Sequence, residues 1–413
     1  MALLDDWDNY GSGASSSLIN PVEFASEEAL LEKLSRMQSN QLTKQESRMF
    51  TLHPIPYPFS SPIIHVALGN KQTVVALKDG RVSCKNIDSP QDVEEINLSR
   101  RPGESIHKVH LDPTGTHLLI CLDTRETFYL SFAWPAPRHP KPLPKLKGVL
   151  IETVAWDATP TRMSSGDMLV GTTDNRVYHA VLEAKDGKVD VKIWRLVYTL
   201  QQTSDLADDK VTGIYYERFP TDSSKIFVIL TSTNRIFRFV GRISAHISDV
   251  FIHYVGEIQP KINEMPGSLP YSRLCISHTE TGRGNFLTWL SPSGLFSATI
   301  QLGNQAVGDD IIGDQHELLF FHEISPLEAP VGGKRAPPVV PRDIFLTNFH
   351  WLILWNGVFQ AISTLDKQVI CKDPLPGFPQ RTGNVLGFAF DRKQKMLWVY
   401  TEHCLFEIGR AHV

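Results

Sequence analysis

The sequence predicts an all-β chain: a seven-bladed β-propeller closed by an N-terminal strand, with a short N-terminal helix ahead of it. Three observations lead there. Short apolar strands arrive in threes and fours at about forty-residue spacing, the pattern of propeller blades. Pairs such as Asp79-Gly80, Asp186-Gly187 and Asn356-Gly357 separate them, and such pairs supply the positive φ angles of tight hairpins. The last blade is one strand short, while an early strand, Arg48 to Ile55, has no blade of its own.

Residues 1–45 form the first segment. Residues 1–25 hold four acids, no Lys or Arg and a GSGASSS run, a composition that cannot offset its ordering entropy, so the stretch is expected to be mobile. ASEEALLEKLSRMQ follows. Ser26 can cap it, Glu27 and Glu28 suit a helix start, and Leu30, Leu34 and Met37 share one face, which predicts an amphipathic helix over 26–37. Packing on its own domain and binding a partner both remain open for that helix.

The propeller is expected over residues 46–413. Blade one runs from Ile63 to about Leu98. Blade two starts at Ile106, turns through Asp112-Pro113-Thr114-Gly115, and carries the basic, Pro-rich SFAWPAPRHPKPLPKLKG outside. Blade three (Leu150 to about Leu200) shows the unit best, as LIETVAWD, DMLVGTTDN and RVYHAVLEA. Blade four (Val211 to about Glu264) places KIFVILTS and RIFRFVGRI as inner strands, with a helix near Asp249 to Tyr254. Blade five runs from Tyr271 to about Glu323, with HELLFFHEI as its last strand. The segment from Ser325 to Pro341 reads as a disordered surface loop. Blade six spans Asp343 to about Lys372, and blade seven runs from VLGFAFD through MLWVYTE to CLFEIGR. Pairing Arg48–Ile55 with blade seven would clasp the ends and remove exposed sheet edges.

Bulk properties narrow the function classes. The 413 residues are 42% hydrophobic and 21% charged, with a formal net charge of −4, an ordinary soluble composition without the basic domain that nucleic-acid binding requires. The five cysteines are scattered without CxxC spacing. They predict no zinc knuckle and no disulfide framework, and suit a reducing cytosol. The N-terminus lacks signal-peptide features, and no apolar run approaches the length of a membrane span. The chain is expected not to cross a membrane.

Candidate chemistry is sparse. HELLFFH sets His316 and His322 six apart, whereas a zinc-protease helix needs histidines four apart. His107 and His110, three apart in a strand, face opposite sides and cannot jointly hold an ion. LDPTG reads as a hairpin turn, not an aspartic-protease loop. No nucleophile elbow, P-loop or dinucleotide fingerprint appears. Trp156-Asp157 ends the first strand of its blade, so the chain is not a regular WD-repeat protein. Arg138, Lys141, Lys145 and Lys147 offer charge for anionic lipid or a polyproline reader, but a solvated loop is the expectation. No catalytic, cofactor-binding or metal-ligating residue is assigned.

Three segments carry a family resemblance. They are IHKVHLDPTGTHLLICLDTRETFYL with KGVLIETVAWD and DMLVGTTDNRVYHAVL, then IFRFVGRIS, then DIFLTNFHWLILWNGVFQAISTLDKQVICKD. In order and spacing they resemble the N-terminal domain of the Deep orange family, the class C vacuolar-protein-sorting subunit eighteen, from about Ile63 onward. The resemblance implies a non-enzymatic propeller of a HOPS- or CORVET-like tethering complex. That complex would act in docking and fusion at late endosome, lysosome or vacuole. It implies other class C subunits as partners, Rab GTPases and SNAREs reached through the complex, and a peripheral place on the cytosolic membrane face. Family members continue into an α-helical solenoid and a RING-type zinc domain; this chain shows neither, and resembles an excised propeller. Two other classes compete: a coat or scaffold propeller of another trafficking assembly, and a propeller hydrolase with its site in the central channel. The hydrolase needs convergent acids, histidines or a metal at inner-strand ends, and the sequence displays no such cluster.

Overall fold

Seven four-stranded antiparallel sheets make up the described part of the computed structural model, which covers residues 49–56, 60–98, 103–200, 209–256, 258–326 and 340–410. The expected acidic segment and helix of residues 1–45, and most of the 325–341 loop, lie outside them. Six blades are built from consecutive strands. The seventh orders its strands as Phe50–Ile55, Leu405–Arg410, Met396–Thr401 and Val385–Asp391.

The predicted clasp is therefore present. Phe50–Ile55 pairs antiparallel with Leu405–Arg410, Phe50 opposite Arg410 and Ile55 opposite Leu405. Phe50 is buried, its ring edge-on to Phe359 and His350 of blade six. Without this strand, Leu405–Arg410 would be an exposed sheet edge.

Each blade begins with its innermost strand, and the seven first strands contact one another in an unbroken circle. The apolar cores explain why the circle closes. Each of the seven buried clusters lies between two neighbouring blades, not inside one. Leu169 and Val177 of blade three, for example, pack with Val228 and Leu230 of blade four. Ile63, Val66 and Val75 of blade one meet Trp398 and Tyr400 of blade seven. Second and third strands are covered on both faces, which is why HLLICL, KIFVILT and RIFRFVGR read as continuous apolar runs.

Several local expectations are corrected. KIFVILTS and RIFRFVGRI are the second and third strands of blade four; Gly213–Arg218, more polar because it faces the axis, is innermost. The helix expected near Asp249 is a 3-10 run over Ile247–Tyr254. HELLFFHEI is not all strand: Ile312–Phe320 ends there and Phe321–Ile324 turns into a short helix, burying Phe321 and Ile324. At Asp79-Gly80 only Gly80 takes positive φ, while both Asp186 and Gly187 do.

The Pro-rich stretch is no solvated loop. Lys141–Pro142 forms the fourth strand of blade two, and Trp134, Leu143 and Leu146 are buried. Three of its four cations are engaged within the chain: Arg138 with Glu94, Lys145 with the Val191 carbonyl, Lys147 with Glu126. Cys84, Cys121 and Cys275 are buried in core clusters. Among the described residues no helix is long and apolar enough to cross a membrane.

Candidate functional site in the propeller ring

Polar residues on the innermost strands converge in a way the sequence did not display. Glu152, second in the first strand of blade three, is 6% exposed. One histidine and two lysines reach it. His107 Nε2 lies 2.9 Å from Oε2, Lys108 Nζ donates to Oε1 at 2.9 Å, and Lys210 Nζ donates to Oε1 at 2.7 Å. Lys108 also donates to the Glu152 carbonyl at 3.2 Å. A carboxylate this buried is tolerable only with such partners. Burial alone would raise its pKa, but His107, Lys108 and Lys210 outweigh it and hold the carboxyl well below the usual range.

A second carboxylate works the other side of the ring. Asp343 of blade six accepts the Phe388 N–H of blade seven at 2.8 Å through Oδ2 and its neighbour's Ile344 N–H at 2.8 Å through Oδ1. Arg273 of blade five stands 3.8 Å from Oδ1, and Asp343 is the main reason its guanidinium pKa is raised. Gly387 permits this approach, since a Cβ there would fall 2.7 Å from Asp343 Oδ2. Lys108 bears on two further imidazoles, His110 and His65, and Arg273 on His65. Burial first, then Lys108, lowers His110 to about 3 and puts His65 well below the ordinary value. His65 Nδ1 and His110 Nε2 are buried without a hydrogen-bond partner.

The register accounts for these placements. A bulge between Ile106 and Lys108 turns His107 and Lys108 together toward blade three. His110, as expected, points elsewhere, its ring 6.4 Å from His65 of blade one. The sequence displayed no cluster of acids and histidines at the inner strands, and the fold brings these groups together there. The missing signal was modest: a charged or His residue within the first three positions of several first strands, IHKVHL, IETVA, RLCISH and DIFL.

What this arrangement can do is join blades. Glu152 ties blade three to blade two and to the lead-in of blade four; Asp343 ties blade six to blades five and seven. The remaining seams have their own polar links. Asn70 Nδ2 donates to the Thr114 carbonyl at 3.0 Å, between blades one and two. The Gly284 N–H donates to Glu217 at 2.9 Å, between blades five and four. The Lys71 N–H donates to Asp391 at 2.7 Å, between blades one and seven. The LDPTG turn is a hairpin, as predicted. The Asp112 carboxylate accepts from Thr116 N and His117 N at 2.6 Å each, and a Cβ on Gly115 would lie 2.3 Å from the Gly69 carbonyl.

Among the described residues, a polar cleft and an exposed apolar patch are notable at the surface. A polar cleft of about 1040 Å³ lies along blades one and two, lined by Asn86, Asp92, Glu94, Thr114 and Arg138 among others. On blade six, Phe349 and Leu365 are 59% and 80% exposed. They sit on adjoining turns joined by Thr364 N to the Phe349 carbonyl at 2.8 Å. Val369, 53% exposed, begins the outer strand beside them.

Comparison with known proteins addresses this architecture. Residues 48–409 match the family model described as the Pep3/Vps18/deep orange β-propeller domain. The chain is 26% identical over 381 residues to a vacuolar protein sorting-associated protein 18 homolog of Danio rerio, covering 90% of the chain and 36% of that protein. It is 23% identical over 355 residues to vacuolar sorting protein 18 of Arabidopsis thaliana, covering 83% and 34%. The chain thus spans about a third of the length of these relatives. Among solved structures it resembles the Cps50 (Swd1) β-propeller domain of Myceliophteria thermophila, with TM-score 0.54, 10% identity, and 87% and 99% of the two chains covered. Saccharomyces cerevisiae Sqt1 gives TM-score 0.53 at 12% identity, with 88% and 86% covered. At such identities these two likenesses bear on the fold alone.

Proposed function

The chain belongs to the Pep3/Vps18/deep orange β-propeller family, and from that premise we propose that it is the non-enzymatic docking propeller of a HOPS- or CORVET-like membrane-tethering complex. It would act at docking and fusion of endosomes with lysosomes or the vacuole, held peripherally on the cytosolic face by other class C subunits. Rab GTPases and SNAREs would be reached through those subunits. The observation that carries this reading is the family match over essentially the whole ring.

The inner polar cluster agrees with it. Glu152 and Asp343 spend their lone pairs on neighbouring blades, which suits rigidity more than turnover. A rigid ring presents its outer turns with little ordering cost on binding. Weak contacts of one propeller gain from multivalency once other subunits hold both membranes.

The test is reconstitution of membrane clustering with the full-length protein, with and without its propeller. The propeller-less form should co-purify poorly with its partner subunits and cluster vesicles weakly. Equal clustering by both forms would overturn the proposal.

A further inference from the structure

The seam between blades three and four gathers two histidines and a carboxylate from widely separated parts of the chain. Asp167 precedes the second strand of blade three, Met168–Thr172. His179 lies in the third strand, Arg176–Lys185. His246 belongs to blade four, as the extended residue before the Ile247–Tyr254 turn. Asp167 Oδ1 is 2.7 Å from His179 Nε2 and 3.5 Å from His246 Nδ1. All three ligand atoms lie within 4.8 Å of one another.

We propose that Asp167, His179 and His246 bind a divalent transition-metal ion, with zinc the best match, that staples blade three to blade four. Two imidazoles and one carboxylate are a zinc-type donor set, whereas magnesium and calcium favour oxygen alone. The 3.5 Å separation of His246 from Asp167 is long for a hydrogen bond. It is close to the spacing of two ligands on one tetrahedral ion with bonds of about 2.0–2.1 Å. The 2.7 Å His179–Asp167 contact has to widen by less than about 1 Å on the same bond lengths.

The ligands are held in advance. His179 is fully buried. The Tyr216 hydroxyl donates to the Asp167 carbonyl at 2.7 Å, across the same seam. The Asp249 carboxylate accepts the N–H groups of Ser244, Ala245 and His246 at 3.0, 3.0 and 3.2 Å, fixing the loop that carries His246. The His246 side chain is 44% exposed, so an ion enters from that side and water completes the fourth position.

One feature sets the strength. With metal on Nε2, the His179 proton sits on Nδ1, which is buried without a partner. Ligating histidines usually donate that N–H, and loss of such support costs about 10–100-fold in affinity. The site is therefore expected to bind its ion more weakly than one whose histidines are both supported.

The experiment uses the purified 413-residue chain, freed of tags and stripped with chelator. Zinc titration by calorimetry should give one site per chain, and zinc should raise the melting temperature while magnesium does not. His246→Ala and Asp167→Asn, both at exposed or partly exposed side chains, should each weaken zinc at least about tenfold. Cobalt should give the visible absorption of a tetrahedral ion in the wild type and lose it in both variants. No stoichiometric zinc, wild-type affinity in both variants, or an octahedral cobalt spectrum would overturn the proposal.

Discussion

The backbone N–H of Lys71 donates a 2.7 Å hydrogen bond to the Asp391 carboxylate across 320 residues of chain. Asp391 is fully buried. Its other oxygen accepts the N–H groups of Lys393 and Gln394 at 3.0 and 3.1 Å. One side chain thus shapes the first hairpin of blade seven and grips blade one. Asp391→Ala leaves three N–H donors unsatisfied and should cost about 2–3 kcal/mol, read from urea unfolding. Asp391→Asn keeps an acceptor and should cost less; a larger loss for Asn than for Ala would refute the assignment.

The clasp gives a second prediction. Removing residues 46–55 takes Phe50 from its contacts with Phe359 and His350 and strips the partner of Leu405–Arg410. The melting temperature should fall far more than on removing residues 1–25. Equal shifts would mean that the ring does not depend on its N-terminal strand.

Acid should loosen the ring. His65 and His110 hold protons less readily folded than unfolded, so stability is full above the unfolded imidazole value of 6.5 and declines below it. For His110 the decline continues to about 3 and amounts to about 2 kcal/mol at pH 5. Glu152, whose pKa is depressed, adds a loss in the same direction below the ordinary carboxyl value. Unfolding free energy measured from pH 7 to 4 should fall steeply in the wild type and less so in His110→Gln. Superimposable profiles would exclude His110 as a contributor.

Neutralising Glu152 tests the inner cluster. Glu152→Gln leaves His107, Lys108 and Lys210 around an uncharged amide, and removing one partner of so buried a network costs about 3 kcal/mol. Lys210→Met removes one of three partners and should cost less, by the same chemical denaturation. Equal costs would mean that the three partners do not share the carboxylate.

Surface and core substitutions should separate binding from folding. Phe349→Asp with Leu365→Asp alters two exposed turns of blade six and should leave the melting temperature nearly unchanged. On the docking account the double variant weakens co-purification with partner subunits. Leu169→Asp, at a fully buried position, should instead unfold the chain through an unpaired buried charge.

Much of the fold was legible because propeller strands repeat a local rule. Middle strands such as HLLICL are buried on both faces, so each announces itself without knowledge of its neighbours. The clasp was legible by elimination, since blade seven lacked a strand and Phe50–Ile55 lacked a blade. The inner cluster was hidden because it forms only when separate blades meet: Glu152 finds Lys108 and Lys210 44 and 58 residues away. The same holds for Asp167, His179 and His246, which share no spacing motif. The Pro-rich stretch misled because its prolines and lysines resemble a solvated loop, while Trp134, Leu143 and Leu146 are buried.

The central claim is that this closed ring docks within a tethering assembly. Crosslinking mass spectrometry of the intact parent complex, read for lysines between residues 60 and 413, tests it most directly. The account predicts reproducible crosslinks from propeller lysines to other subunits, clustered on one face of the ring. Crosslinks confined to the propeller itself, in a complex whose other regions crosslink richly, would contradict it.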